Sequence, residues 1–291
     1  MRLTVFTPTY NRKELLMRAY KSLVAQTDPD FKWLIVDDGS TDGTDDEVKK
    51  WIDEGRIPIS YRYRENGGKM RAHNTGVELC DTELFLCLDS DDYLTPTAVA
   101  DLLEAYDRAR QEAREGKPVG GVVAHKGCTG EKLLGDCDFP KTDTSTLYGL
   151  YLKGFSGETT LMYDTSLLKR FPFPEIEGEK YVPEDYIYDK IDEICVLAVL
   201  PKIVTVCEIT DSGYTEAARK LRRDNPVAFY LFFEQRAYIT PPGLLKLKYL
   251  GRFVIYAKRA GRDIKESGRI GALWRLAGTV YSYVLLLAHK E

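Results

Sequence analysis

The 291-residue sequence has only three histidines and six cysteines, and none stands at a metal-ligand spacing. There is no Cys-x-x-Cys pair and no second histidine close to any of the three, which excludes the usual structural zinc sites. Cys80, Cys87, Cys195 and Cys207 lie in or beside apolar runs, where a reduced core thiol is expected. Cys128 and Cys137 sit in a polar loop and could pair, but nothing in the sequence demands it. The N-terminus, MRLTVFTPTYNR, lacks the apolar length of a signal peptide. These absences together point to a reducing, cytoplasmic setting. No internal repeat and no low-complexity tract interrupts the chain, and no nucleic-acid partner is expected.

What is present is a foldable, tyrosine-rich chain with divided charge. Hydrophobic residues make up 44% of it, enough for a sizeable core, and its 19 tyrosines suit half-wet clefts as well as cores. The net charge of −4 hides an asymmetry. Residues 1–214 hold 26 Lys+Arg against 39 Asp+Glu, whereas residues 215–291 hold 15 against 6. An acidic body with a basic C-terminal region suggests two surfaces with different partners.

Strand and helix signals alternate over residues 1–125. RLTVFTP, FKWLIVDD, ISYRYRE, ELFLCLD and GGVVAHK read as strands. RKELLMRAYKSLVAQ, STDGTDDEVKKWID, KMRAHNTGVELC and TPTAVADLLEAYDRARQEA read as helices, the last with Thr95 as cap and Pro96 at its first position. That alternation predicts an α/β fold with a Rossmann-like, mostly parallel central sheet flanked by helices. Residues 126–214 are less regular. A helix is expected to begin near Glu184, and CVLAVLPKIVTVCEI reads as two short strands broken at Pro201. Residues 215–291 read as a helical extension.

In a parallel sheet, ligands bind at the carboxyl ends of the strands. The polar signals gather there: TPTYN after the first strand, DDGSTDGT after the second, ENGGK after the third and DSDD after the fourth. The last is the sharpest, because an apolar run leads into Asp89, Asp91 and Asp92, whose charges repel unless something positive is supplied. If the chain stays extended, Asp89 and Asp91 point the same way and could flank a divalent cation or a ribose. An acidic helix N-terminus would explain the same run with no ligand at all.

Taken together, TPTYNR, VDDGSTDGT, NGGKMRAHNTG and LDSDD resemble the family 2 inverting glycosyltransferases with a GT-A fold. A weaker likeness continues in EGEKYVPEDYIYDKID, which resembles the acceptor-side acidic motif, and in DSGYT after it. The resemblance implies a nucleotide-sugar-binding half over 1–125, an acceptor-binding half over 126–214 and a separate basic region over 215–291. It places Pro8, Thr9 and Tyr10 along the nucleotide, and Asp38 against the uracil N3–H with Asp37 holding the loop. Lys69 and Arg71 would face the diphosphate, and Asn74 the ribose or its loop. Asp89 and Ser90 would contact the donor, with Asp91 as main ligand, and Asp89 as second, of Mn²⁺ or Mg²⁺. The base that takes the proton of an acceptor hydroxyl would be Asp185 or Glu184. YVPED departs from the family's commoner aromatic-Gly-Glu-Asp form, so the choice between the two stays open. His73 is expected to pack beside the site, His125 to be structural, and His289 lies at the terminus.

The implied activity is metal-dependent, inverting transfer of a hexose from a nucleotide-diphosphate sugar, most simply a UDP-sugar, to a glycan or lipid-linked saccharide in surface polysaccharide synthesis. Two alternatives remain. A sugar-1-phosphate nucleotidyltransferase should carry a Gly-rich phosphate loop after the first strand, and TPTYNRKE has no glycine. A non-catalytic, membrane-associated binding module could keep the fold without chemistry. GALWRLAGTVYSYVLLLA is 18 residues long with one charge, Arg275. A charge there would cost about 2.5–3.5 kcal/mol at a bilayer centre, so residues 244–288 are expected to lie on the inner face of a membrane or to form a dimer contact rather than to span.

Overall fold

The structure, a computed structural model, describes residues 1–112, 116–135, 137–207 and 214–288, without the side chains of 214–217. His289 and the first three residues of DSGYT therefore lie outside the described residues. The chain divides into two compact units: Met1–Pro172 with Ile187–Thr210, and Phe173–Tyr186 with Asp211–Glu291.

The first unit begins with β1 (Leu3–Thr9), α1 (Lys13–Val24), β2 (Phe31–Asp37), α2 (Thr44–Glu54), β3 (Ile59–Tyr63), α3 (Lys69–Leu79) and β4 (Leu84–Cys87). There follow β5 (Asp92–Leu94), α4 (Ala98–Glu112), β6 (Val119–Gly127), β7 (Thr144–Ser145), α5 (Leu147–Leu152), β8 (Thr159–Asp164) and α6 (Thr165–Arg170). After an excursion into the second unit it closes with α7 (Asp185–Asp192) and β9 (Val196–Cys207), although Asp185 and Tyr186 are counted with the second unit. The strands form one sheet in the order β3-β2-β1-β4-β8-β6-β9-β5, with β7 also on β9. The expected α/β architecture is present. The run β3-β2-β1-β4 is parallel throughout, as is β6 with β9, while β8, β5 and β7 join antiparallel.

The parallel run is apolar because helices cover both faces. On one face Tyr20 of α1, Trp33 of β2 and Trp51 of α2 stack, with Tyr20 and Trp51 centroids 4.5 Å apart. Trp33 Nε1 donates to Thr7 Oγ1 at 2.9 Å, so the stack keeps its one polar edge satisfied. On the other face α3 lies close to β1 because position 76 is glycine. A Cβ there would meet the ring of Phe6 at 2.4 Å, and Phe6 is fully buried. Gly76→Ala is expected to cost about 1–3 kcal/mol through this overpacking, read as a lower midpoint in urea unfolding with an unchanged slope.

Three local expectations are corrected. β9 runs through Pro201 as one strand, because its register with β6 jumps from Ala124↔Leu200 to His125↔Ile203 and leaves Pro201 and Lys202 exposed. The irregularity gives the proline a place where no ladder N–H is needed. α4 starts at Ala98, since Thr95 N donates to the Val204 carbonyl at 2.9 Å and so belongs to the link with β9. The chain also does not stay extended after β4. It turns at Asp89–Asp92, closed by Asp92 N to the Asp89 carbonyl at 3.0 Å, and re-enters the sheet as β5.

The second unit is helical: α8 (Tyr214–Asp224), α9 (Pro226–Ile239), α10 (Leu244–Arg259) and α11 (Ala272–Leu287). Its core is aromatic, built on Phe229, Phe233, Phe253 and Tyr256. Glu179 accepts from Val227 N and Ala228 N at 2.7 and 2.8 Å, satisfying donors at the start of α9. Asn225 Oδ1 accepts from Lys180 N and Tyr181 N, so segment 179–181 is fastened to that helix start. No helix among the described residues is long and apolar enough to cross a membrane.

Candidate active site

The carboxyl ends of β1, β2 and β4 and the start of α3 surround a cavity of about 380 Å³. Its lining is Pro8, Thr9, Tyr10, Arg12, Asp38, Lys69, Asp89, Ser90 and Asp91. Eight of these nine are residues picked from the sequence. Arg71 and Asn74, further along α3, do not line it. Arg71 instead donates to the Gly67 carbonyl at 2.8 Å and so braces the turn before α3.

The loops that carry this lining are held by local hydrogen bonds. Asn11 adopts a left-handed conformation with φ of 51°, which asparagine tolerates better than most residues. Its N–H donates to Ser40 Oγ at 2.8 Å and its Oδ1 accepts from Thr41 N at 2.8 Å, tying the loop after β1 to the loop after β2. Asp37 accepts from Ser40 N and from Tyr61 Oη at 2.7 Å each. The half-exposed Tyr10 ring stands on the wall with Pro8, as a planar surface suited to a nucleobase.

Asp38 is buried, and its carboxylate is engaged by four donors: Arg64, Asn66 Nδ2, Gly67 N and Gly68 N. A carboxylate offers about four lone-pair positions, so this one is filled by loop 64–68. Its first task is to shape that loop, and Gly68, with φ of 96°, turns the chain into α3 so that Lys69 reaches the cavity.

The acidic corner is answered by the protein's own cations. Arg12 contacts Asp91 at 2.7 Å, Lys69 contacts Asp89 at 2.6 Å, and Lys126 contacts Asp92 at 2.9 Å and Asp89 at 3.8 Å. The three aspartates differ in setting. Asp92 is buried, and that burial raises its pKa despite Lys126. Burial would also raise Asp89, but Lys69, Lys126 and Arg12 outweigh it and hold the carboxyl below the ordinary range. Desolvation would lower Lys126, but Asp89 and Asp92 keep its pKa above the usual lysine value. Asp91 is about half exposed, with the equally exposed Arg12 beside it.

Asp89 and Asp91 therefore present two hard oxygen donors to one cavity. They fit a divalent cation whose shell is completed by a ligand's oxygens, as Mg²⁺ and Mn²⁺ are commonly held. No group of three or more His, Cys, Asp or Glu side chains among the described residues could hold a metal unaided.

Neither described histidine lines the cavity. His73 packs edge-on against Phe6 and Phe85, and burial, helped by the charge of Lys69, lowers its pKa to about 3, so it is neutral. His125 stacks on Phe139 at 3.8 Å and meets Asp138 at 2.6 Å.

In the second unit, Asp185 begins α7 and pairs with Arg236 of α9 at 2.8 Å. Arg236 is buried and lies over the Phe232 ring. Desolvation raises the pKa of Asp185, Arg236 opposes the rise, and Glu184 adds to it. Sequence reasoning did not single out Arg12, Lys126, Arg64 or Arg236. The first stands inside TPTYNR, and a cation beside that motif was the available signal. The others are joined to their aspartates only by the fold.

The Glycosyl transferase family 2 profile matches residues 4–155. Hyaluronan synthase of Streptococcus pyogenes is 38% identical over 106 residues, which is 34% of this chain and 25% of that one. The chain spans about a third or less of the length of the first curated relatives it matches. Among solved structures, Staphylococcus aureus TarS 1–349 in complex with UDP-GlcNAc aligns over 97% of this chain and 79% of its own, with TM-score 0.64 and 19% identity. Mannosyltransferase PcManGT from Pyrobaculum calidifontis, in complex with GDP-Man and Mn²⁺, aligns over 99% and 86%, with TM-score 0.56 and 19% identity. The fold is shared with both.

Proposed function

Because this chain belongs to glycosyl transferase family 2, we propose that it transfers a sugar, with inversion, from a nucleotide-diphosphate sugar to a hydroxyl of a glycan or lipid-linked saccharide. The observation that carries this reading is the cavity at the ends of β1, β2 and β4. It joins a flat aromatic surface at Tyr10, a lysine at a helix start and two aspartates in one concave space. Such a set suits a base, a diphosphate and a cation in that order. A sugar-1-phosphate nucleotidyltransferase is disfavoured by the family match and by the absence of a glycine loop after β1.

Tyr10 and Pro8 take the nucleobase. Lys69 binds the diphosphate, exchanging its contact with Asp89 for phosphate oxygens. Asp91, with Asp89, would hold Mn²⁺ or Mg²⁺, and Arg12 leaves Asp91 to meet the diphosphate. The bound ion supplies Lewis-acid stabilisation of the charge on the departing nucleoside diphosphate. Asp185 takes the acceptor proton, being the carboxylate whose pKa is raised and whose side chain Arg236 orients. The acceptor oxygen then bonds to the anomeric carbon as the bond to the diphosphate oxygen breaks on the opposite side. The donor is a UDP-sugar, a reading supported by the UDP-GlcNAc complex of TarS. Asp38 acts on uracil through the loop it fixes, and the imide N–H must displace Asn66 or Arg64 to reach the carboxylate itself.

A thermal-shift series tests the reading. UDP-GlcNAc with Mn²⁺ is expected to raise the midpoint by several degrees at concentrations well above Kd, with a smaller shift when Mn²⁺ is chelated. Equal shifts from GDP-mannose would overturn the uridine assignment, and no shift from any nucleotide sugar would overturn the transferase reading.

A further inference from the structure

α11 has two apolar faces, and the second unit covers only one of them. Gly278, Ser282 and Leu285 are buried against α10. The approach is close because glycines meet there: a Cβ on Gly251 would stand 2.9 Å from Leu285, and one on Gly278 would stand 3.0 Å from Leu250. The other face carries Leu273, Leu276, Val280, Tyr283, Val284 and Leu287, each at least half exposed. Their spacing of three and four makes one stripe along the whole helix. A continuous apolar stripe of this length on a soluble surface marks an interaction site.

Charge decides what the stripe meets. Residues 244–288 hold nine Lys+Arg and only Asp263 and Glu266 as acids. The only charge on α11 is Arg275, turned back to the Ser267 and Ile270 carbonyls at 3.2 and 2.7 Å. Lys246 is likewise occupied by the Tyr238 and Thr240 carbonyls. Lys248, Lys258, Arg259, Lys265 and Arg269 remain exposed. A second copy would bring one basic surface against another, whereas an anionic lipid surface complements both the stripe and the charge. Spanning is excluded by length, since 16 residues cover about 24 Å of helix against a hydrocarbon core of about 30 Å.

We infer that α11 lies in the surface of an anionic phospholipid bilayer, with its Leu273–Leu287 stripe inserted and the exposed lysines and arginines of residues 244–288 paired to headgroups. This goes beyond the proposed transfer reaction and rests on none of the residues assigned to it. Each exposed cation near an anionic leaflet contributes about fivefold to partitioning, so the preference for anionic vesicles should be large and lost in high salt.

The test is co-sedimentation of the full chain with vesicles of phosphatidylcholine alone and of an equimolar phosphatidylglycerol–phosphatidylcholine mixture. Wild type is expected to bind the mixture and not the neutral vesicles. The double variant Leu276→Glu with Val280→Glu should lose at least tenfold in binding, because two charges enter the apolar stripe. Both positions are exposed, so its unfolding midpoint and its response to UDP-GlcNAc should match wild type. Three results would overturn the inference: no binding to the mixture, equal binding to both vesicles, or unchanged binding by the double variant. A wild-type dimer in solution that the double variant dissolves would assign the stripe to a second copy instead.

Discussion

Asp91→Asn is expected to lower kcat/KM for sugar transfer by about 10³, with little change in stability. The loss follows from removing the carboxylate that, in the proposed mechanism, would hold the cation beside the departing diphosphate, a contribution of several kcal/mol. Stability should hardly move, because the ion pair lost among the described residues, with Arg12, is exposed on both sides and such pairs contribute about 0–1 kcal/mol. One residue on, Asp92→Asn should do the reverse. Asp92 is buried against Lys126, and neutralising it leaves that largely buried ammonium with the more distant Asp89, at 3.8 Å, as its ion-pair partner among the described residues. Unpairing a buried charge in this way costs about 3 kcal/mol. Urea unfolding and initial rates, measured on both variants, check the pair of expectations. If Asp91→Asn retains full Mn²⁺-dependent turnover, the assignment of that residue fails.

Asp185→Asn should remove turnover by about 10²–10⁴, the range for a lost general base, and leave the thermal response to UDP-GlcNAc intact. Glu184→Gln should change kcat far less, because the proposed mechanism gives the proton transfer to Asp185, the carboxylate paired with Arg236. The pH profile carries more information than the loss itself. A base works only when deprotonated, so kcat should fall as pH drops through the raised pKa of Asp185. Arg236 pulls that pKa down, so Arg236→Met should move the acid limb of the profile to higher pH. A limb that stays in place, or moves to lower pH, would detach Asp185 from the proton transfer. Rates in the variant should recover at alkaline pH, which distinguishes a shifted base from a misfolded one.

Much of the candidate site is legible in the sequence because it is local. Each strand of the parallel run is a short apolar segment, and turn-forming Asp, Gly, Asn and Pro follow it at once. Pro8 to Tyr10, Asp38, Lys69 and the 89–91 corner are therefore set by their own neighbours and by the rule that such a sheet binds at its carboxyl ends. What sequence reasoning missed is non-local. The positive charge that the run Asp89–Asp92 demands comes from Arg12, Lys69 and Lys126, which only the order β1-β4-β8-β6 brings to one corner. The same holds for Asp38. Its carboxylate looks available in VDDGS, and the fold fills it with Arg64, Asn66 and two glycine amides. Pro201 was misread for the opposite reason, since a proline in a strand signals a break unless a register jump provides for it. In the C-terminal helices, hydrophobic periodicity marks α11 as apolar, but it cannot tell the face that packs from the face left bare. Gly251 and Gly278 decide that by letting α10 approach one side.

The central claim is that the corner between Lys69 and Asp91 would hold the diphosphate of a nucleotide sugar, with Asp91 and Asp89 holding a divalent cation beside it. A crystal structure with UDP and Mn²⁺ bound measures it directly. The expected result is uracil against Tyr10 and manganese between Asp91 and the phosphates, with the Arg12 guanidinium withdrawn from Asp91. Nucleotide bound elsewhere, or bound here with the Arg12–Asp91 pair still closed and no metal at Asp91, would contradict it.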